Sequence, residues 1–159
     1  MVVSHHMLMG LQGGKQPEGF DENESFDTEI SSKMSKSKPE TCLYVHDTEQ
    51  EIKKKIASAF CPVKVVEGNP VLDYCENIIF RKTNTFLIER PSKFGGNIEY
   101  ASYATLEKDY REGNLHPADL KAATATALNS IIAPVREHFE KDKHASELYN
   151  FVKSQKITR

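Results

Sequence analysis

The chain has 159 residues, of which 38% are hydrophobic and 28% charged, with no tryptophan and a net charge of −2. That length allows one domain, or one and a half, around a sizeable core. The mix excludes collagen-like, disulfide-stapled and low-complexity proteins. No apolar run approaches the length of a membrane span, so a soluble, cytoplasmic protein is expected.

The near-neutral total hides an asymmetry. Residues 1–32 hold one base and six acids, net −5, and the rest holds 20 bases and 17 acids, net +3. A basic body of this kind is compatible with a nucleic-acid partner. Met1 to Met9 carries no basic region and no small-residue cleavage site, so it does not read as a signal peptide. Residues 1–11 read as a buried strand turning at Gly10. Such a strand needs neighbours on both sides. The chain offers few, so the segment reads as the last strand of a larger sheet.

His5 and His6 are adjacent and would point to opposite faces of that strand. With no third ligand nearby, no metal site is expected. Cys42, Cys61 and Cys75 have neither metal spacing nor an even-numbered framework and are expected as reduced thiols. Residues 12–32 are polar and acidic and read as a surface loop. They lead into Lys33-Met34-Ser35-Lys36-Ser37, followed by Lys38 and Pro39. Ammonium groups and hydroxyls at this density suit phosphate oxygens.

Helix signals follow a short extended run at Cys42 to Val45. Thr48 and Glu51 form a capping box. Ile52, Ile56, Ala59 and Phe60 recur at helical spacing up to Cys61-Pro62, with Lys53, Lys54 and Lys55 on the opposite side as a solvated face or a polyanion contact. Asn69-Pro70 caps a second helix whose stripe is Val71, Leu72, Cys75, Ile78 and Ile79. A hairpin is expected from Thr85–Arg90 to Asn97–Tyr100, turning between Pro91 and Gly96. Phe94 sits in that turn, where an aromatic is either folded back on the core or presented for stacking.

A short helix is expected after Thr105, ending at Gly113. A long one begins at Pro117, with Asp119 in its first turn, and kinks or restarts at Pro134. The last amphipathic helix covers 145–155 through Leu148, Phe151 and Val152.

Taken together, Lys33–Ser37 (KMSKS), Ala59-Phe60-Cys61-Pro62, Val66-Glu67-Gly68-Asn69-Pro70, Lys93-Phe94-Gly95-Gly96, Leu106-Glu107-Lys108-Asp109-Tyr110, Leu115-His116-Pro117-Ala118-Asp119-Leu120 and Pro134-Val135-Arg136-Glu137 occur in order. From Val3 to about Phe139 the chain resembles the C-terminal half of archaeal and eukaryotic tyrosyl-tRNA synthetases. That resemblance implies a mostly α fold. A C-terminal remnant of a Rossmann-like catalytic domain (1–45) is followed by a helical anticodon-binding domain with one β-hairpin (46–159).

It also implies an ATP-dependent tyrosine–tRNA ligase, with Mg2+ accompanying ATP and tRNA-Tyr as partner, and usually a homodimer. Lys36 would stabilise the pyrophosphate leaving group, Lys33, Ser35 and Ser37 would support the phosphates, and Met34 would anchor the loop. The strand around Met7 and Leu8 would lie near adenine. Phe94 would stack on the first anticodon base, Asp119 would bond its Watson–Crick edge, and His116 and Pro117 would shape the pocket. The HIGH-type motif, the tyrosine pocket and the dimer-forming insertion have no counterpart in these residues. The chain is therefore expected to need an N-terminal half bearing that motif. The alternative is a free-standing, non-enzymatic anticodon-binding module.

Overall fold

The computed structural model describes residues 6–13 and 38–155. The start of the expected first strand, most of the acidic loop, the whole Lys33–Ser37 stretch and the end of the basic tail lie outside the described residues.

Helix α1 spans Glu49–Ser58. Its capping box is formed as expected: Glu51 donates its N–H to Thr48 Oγ1 at 3.2 Å, and its carboxylate accepts the Thr48 N–H at 2.8 Å. That backbone hydrogen bond holds the Glu51 carboxyl below its ordinary value. Ile52 and Ile56, four apart on one face, are both fully buried. The helix ends two residues sooner than the apolar spacing suggested, because Ala59 is already extended. Phe60 lies beyond that end and donates its N–H to Leu11 O at 2.7 Å. Its ring packs on Gly13, where a Cβ would come within 2.4 Å of a ring carbon.

Helix α2 is composite: Pro70–Tyr74 is α-helical, Cys75–Ile79 is a π turn and Phe80–Lys82 is α-helical again. Asn69 caps it, its Oδ1 accepting from Val71 N at 3.1 Å and Leu72 N at 3.4 Å. Single π turns inside helices are rare and arise where side-chain packing outweighs the regular ladder. This one keeps Cys75 and Ile79 fully buried while Phe80 meets Phe86 edge-on at 5.9 Å. Burial pushes the Cys75 thiol up to about 12, so it is an inert core group. None of the three cysteines forms a disulfide, and all three are buried.

Strands β1 (Phe86–Ile88) and β2 (Ile98–Tyr100) pair antiparallel, Phe86 opposite Tyr100 and Ile88 opposite Ile98. Phe86 and Ile88 are buried and Leu87 is exposed, the alternation a one-faced hairpin requires. Among the described residues this is the only sheet. Among the described residues of the expected N-terminal strand, only Met9 makes a bridge, and Cys42 to Val45 forms no strand.

Helix α3 (Tyr103–Glu112) starts two residues before Thr105, because Ser102 is its cap and Thr105 already lies in its first turn. It stops at Gly113 with φ 89°, a left-handed cap that favours glycine. Helix α4 is one uninterrupted element, Pro117–Lys141, with Pro134 inside it. Neither a break nor a restart occurs. Pro134 deprives the Ser130 carbonyl of its donor, but both residues are exposed, so water replaces the bond.

Helix α5 (Lys143–Ser154) follows, capped by Asp142, and packs along α4. Its inner contact is Tyr149, 5.6 Å from Phe139 and 5.7 Å from His46. Leu148, Phe151 and Val152, the apolar residues of the expected amphipathic helix, are 52–68% exposed.

The core gathers Ile52 and Ile56 from α1, Val71, Leu72, Cys75 and Ile79 from α2, both strands, and Leu120 and Leu128 from α4. Leu11 is 3% exposed and joins it from the N-terminal strap. The observed architecture is mostly α with one β-hairpin, as the sequence indicated. Among the described residues no helix is long and apolar enough to cross a membrane.

Candidate nucleic-acid interface

The hairpin tip is a short 3-10 turn, Ser92–Phe94, closed by Phe94 N–H to Pro91 O at 2.9 Å and Gly95 N–H to Ser92 O at 3.1 Å. Gly95 and Gly96 have φ values of 97° and 72°, a left-handed pair that β-carbon-bearing residues avoid. This turn leaves Phe94 59% exposed. Of the two outcomes open to a loop-tip aromatic, the structure realises presentation. Lys93 Nζ lies 4.8 Å from the Phe94 ring centroid. An exposed ring with a cation beside it suits a base and its phosphate together.

The second group stands at the start of α4. Pro117 occupies the first helical turn, where a missing N–H costs nothing. His116 is the N-cap, its Nδ1 accepting the Ala118 N–H at 3.1 Å. That bond requires Nδ1 to be unprotonated, so Nε2 carries the proton and is a donor toward solvent. Asp119 is half-buried one residue further on, and its N–H donates to His116 O at 3.1 Å. Among the described residues no group hydrogen-bonds or ion-pairs its carboxylate. It is an acceptor held at a helix N-terminus, where the macrodipole favours its charge.

Arg90 ties these two groups together. Its Nε donates to Gly96 O at 3.0 Å, two residues after Phe94, and its Nη1 donates to Asn114 O at 3.1 Å, two residues before His116. Asn114 is itself fixed by its N–H to Asp109 O at 2.8 Å. One guanidinium with several donors in a planar fork therefore sets the hairpin tip against the α4 start. Sequence reasoning placed Phe94, His116, Pro117 and Asp119 but missed Arg90. Arg90 had no pattern to reveal it, because its partners are backbone carbonyls.

On the far side of His116 and Pro117 opens a cleft of about 560 Å³ between α1 and α4, lined by Lys53, Ala57, Lys121 and Ala125 among others. Both lysines are already engaged, Lys53 with Glu49 and Lys121 with Ala57 O at 3.0 Å. Of the three lysines expected as a solvated face, Lys55 departs: its side chain is 16% exposed and pairs with buried Asp47 at 2.7 Å.

Met7 and Leu8 lie on the strap beside α2. Met7 is 42% exposed, and Leu8 is half-buried against the core. The expected phosphate-binding residues Lys33, Met34, Ser35, Lys36 and Ser37 lie outside the described residues, so no geometry relates them to Met7. Among the described residues no group of three His, Cys, Asp or Glu side chains could hold a metal ion.

Comparison with known proteins supplies the context for this geometry. Residues 26–133 match the family model described as tRNA synthetases class I (W and Y). The chain is 47% identical over 160 aligned residues to a tyrosine–tRNA ligase of Thermococcus sibiricus, the match covering 100% of this chain and 42% of the relative. It is 42% identical to the cytoplasmic tyrosine–tRNA ligase 2 of Arabidopsis thaliana, covering 100% of this chain and 19% of that one. Among solved structures, it resembles a tyrosyl-tRNA synthetase from Pyrococcus horikoshii complexed with L-tyrosine. That match has a TM-score of 0.80 and 44% identity over 91% of this chain and 39% of that one. The chain thus spans about two fifths of the length of its archaeal relatives.

Proposed function

Because this chain belongs to the class I tRNA synthetases of the tryptophan and tyrosine type, we propose that it is the anticodon-reading and pyrophosphate-gripping portion of a tyrosine–tRNA ligase. The whole enzyme forms tyrosyl-adenylate from tyrosine and ATP and transfers the tyrosyl group to the 3′ end of tRNA-Tyr. What carries the reading is the 47% identity to a tyrosine–tRNA ligase that extends over the full chain rather than over one motif. The enzyme works in the cytoplasm as a homodimer, and the HIGH-type motif and tyrosine pocket belong to the part of the relatives that this chain does not match. No cluster among the described residues fits Mg2+, which arrives on the phosphates of ATP.

In this reading residues 1–45 belong to the catalytic domain and residues 46–159 to the anticodon domain. Lys36 stabilises the charge that develops on the departing pyrophosphate, with Lys33, Ser35 and Ser37 on the same phosphates and Met34 anchoring the loop. Backbone at Met7 and Leu8 faces adenine. At the other end Phe94 stacks on the first anticodon base. Asp119, an acceptor-only group, takes donors from that base's Watson–Crick edge. Guanine presents two adjacent donors there, its N1–H and its amino group, and fits best. His116 and Pro117 form the wall.

Titrating labelled anticodon stem-loops at fixed salt tests this assignment. Asp119→Ala is expected to weaken binding of the guanine-first stem-loop by about 10- to 100-fold, corresponding to about 1–3 kcal/mol for a base-edge contact. Stem-loops with another first base should change little. Phe94→Ala should instead weaken all of them by similar factors, since stacking tolerates any base. Equal losses across stem-loops for Asp119→Ala would remove its base-reading role.

A further inference from the structure

Asp73 is buried, with its side chain 7% exposed. A buried carboxylate is costly unless its lone pairs are filled, and here they are. Oδ1 lies 2.6 Å from His6 Nε2 and accepts from Asn77 Nδ2 at 3.0 Å, and Oδ2 accepts the Met9 N–H at 2.9 Å. The next residue, Tyr74, donates its hydroxyl to Met9 O at 2.8 Å. Both backbone polar groups of Met9 therefore end on two consecutive side chains of α2. In a sheet those groups would pair with a neighbouring strand. Here α2 receives both and sets the height of the strap.

Among the described residues, apart from Asn77 on its own helix, every hydrogen-bond partner of the Asp73 side chain belongs to that strap. The core beneath closes on apolar residues without the carboxylate. Leu11 extends the same clamp, its N–H donating to Thr41 O at 2.9 Å and its O accepting from Phe60. Met7 and Leu8 sit directly before the fixed residue, and no hydrogen bond among the described residues engages their backbone.

We infer that Asp73, seconded by Tyr74, is a positioning residue for ATP: it fixes Met9 on the helical body so that the backbone of Met7 and Leu8 meets adenine at a set height. This rests on the ligase reading above. Asp73 touches neither substrate nor reacting atoms and acts through Met9. The charge on the acceptor makes its grip on the Met9 amide stronger than a neutral side chain would.

Two measurements test it. In the 159-residue chain, Asp73→Ala is expected to speed hydrogen exchange of the Met9 amide by about tenfold, the loss of one hydrogen bond of about 1.4 kcal/mol. The Leu128 amide in α4 should keep its protection. In the chain joined to the part of the Thermococcus sibiricus ligase that it does not match, tyrosine-dependent pyrophosphate exchange should show the KM for ATP rising about tenfold, with the KM for tyrosine held within about twofold.

Asp73→Asn keeps the side-chain volume and an oxygen for Met9, and should give a smaller shift of the same kind. Tyr74→Phe keeps the buried ring and removes only the bond to Met9 O, again with a smaller ATP-specific shift. Unchanged Met9 exchange, or parallel rises in both KM values, would overturn the inference. If the joined protein shows no exchange with Asp73 intact, the ligase reading fails, and the amide measurement, which needs no ATP, still decides whether Asp73 holds the strap.

Discussion

Asp47→Ala is expected to lower the unfolding free energy by about 3 kcal/mol, read as a drop in the urea midpoint at unchanged slope. Asp47 is 4% exposed, and one carboxylate oxygen accepts both the Tyr44 N–H at 2.8 Å and Lys55 Nζ at 2.7 Å. Lys55 also lies 4.7 Å from the Tyr44 ring centroid. Truncation leaves an amide without its acceptor and the ammonium of a lysine whose side chain is 16% exposed without its anion. The expected loss sits at the low end for a broken buried pair because the lysine stem is long enough to swing toward water. Pairing the substitution with Lys55→Met should recover much of the loss, since two apolar groups need no partner. A single-variant loss below about 1 kcal/mol would mean the pair behaves as a surface ion pair.

Lys36→Ala is expected to cut pyrophosphate exchange by about 100- to 1,000-fold in the chain joined to the part of a ligase that it does not match, the range for removing one group aimed at developing charge. The loss should fall on kcat with little change in the KM for tyrosine, because the charge appears only as pyrophosphate leaves. The 159-residue chain alone should show no tyrosine-dependent exchange at all, having no HIGH-type motif. A loss below about threefold for Lys36→Ala would shift the role to Lys33 or away from this stretch.

What the sequence disclosed was local chemistry. The Thr48–Glu51 box, the Asn69–Pro70 cap and the stop at Gly113 each depend on residues within one helical turn, and each stands where the spacing put it. Ser102 was overlooked because two hydroxyl residues, Ser102 and Thr105, both resemble caps. The structure uses Ser102 Oγ as acceptor for the Thr105 N–H at 3.4 Å. The π turn at Cys75–Ile79 has no sequence mark; its first residue meets Thr124, 49 positions away on another helix. Helix α5 shows the opposite limit: periodicity identified an apolar stripe but could not say that Tyr149, not Phe151, faces the neighbour.

The candidate interface divided in the same way. Phe94 and Asp119 were legible as residue types in a glycine-rich turn and a helix start. Arg90, which ties the hairpin tip to the α4 start, and Asp73, which ties the strap to α2, were not legible. Their partners lie far off in the chain, and several are backbone atoms that any residue would supply.

The Met9 anchors have a consequence for the order in which the chain folds. They join residues 64 and 65 positions apart, whereas the caps and the hairpin close over much shorter separations. Closing long loops is slower than closing short ones, and it is rewarded only once the distant partner is structured. The strap is therefore synthesised before α2 and docks on it late, after Asp73 and Tyr74 have emerged and α2 has formed. Until then Leu8 and Leu11 lack the helical core they pack against, the period in which a nascent chain most needs a chaperone.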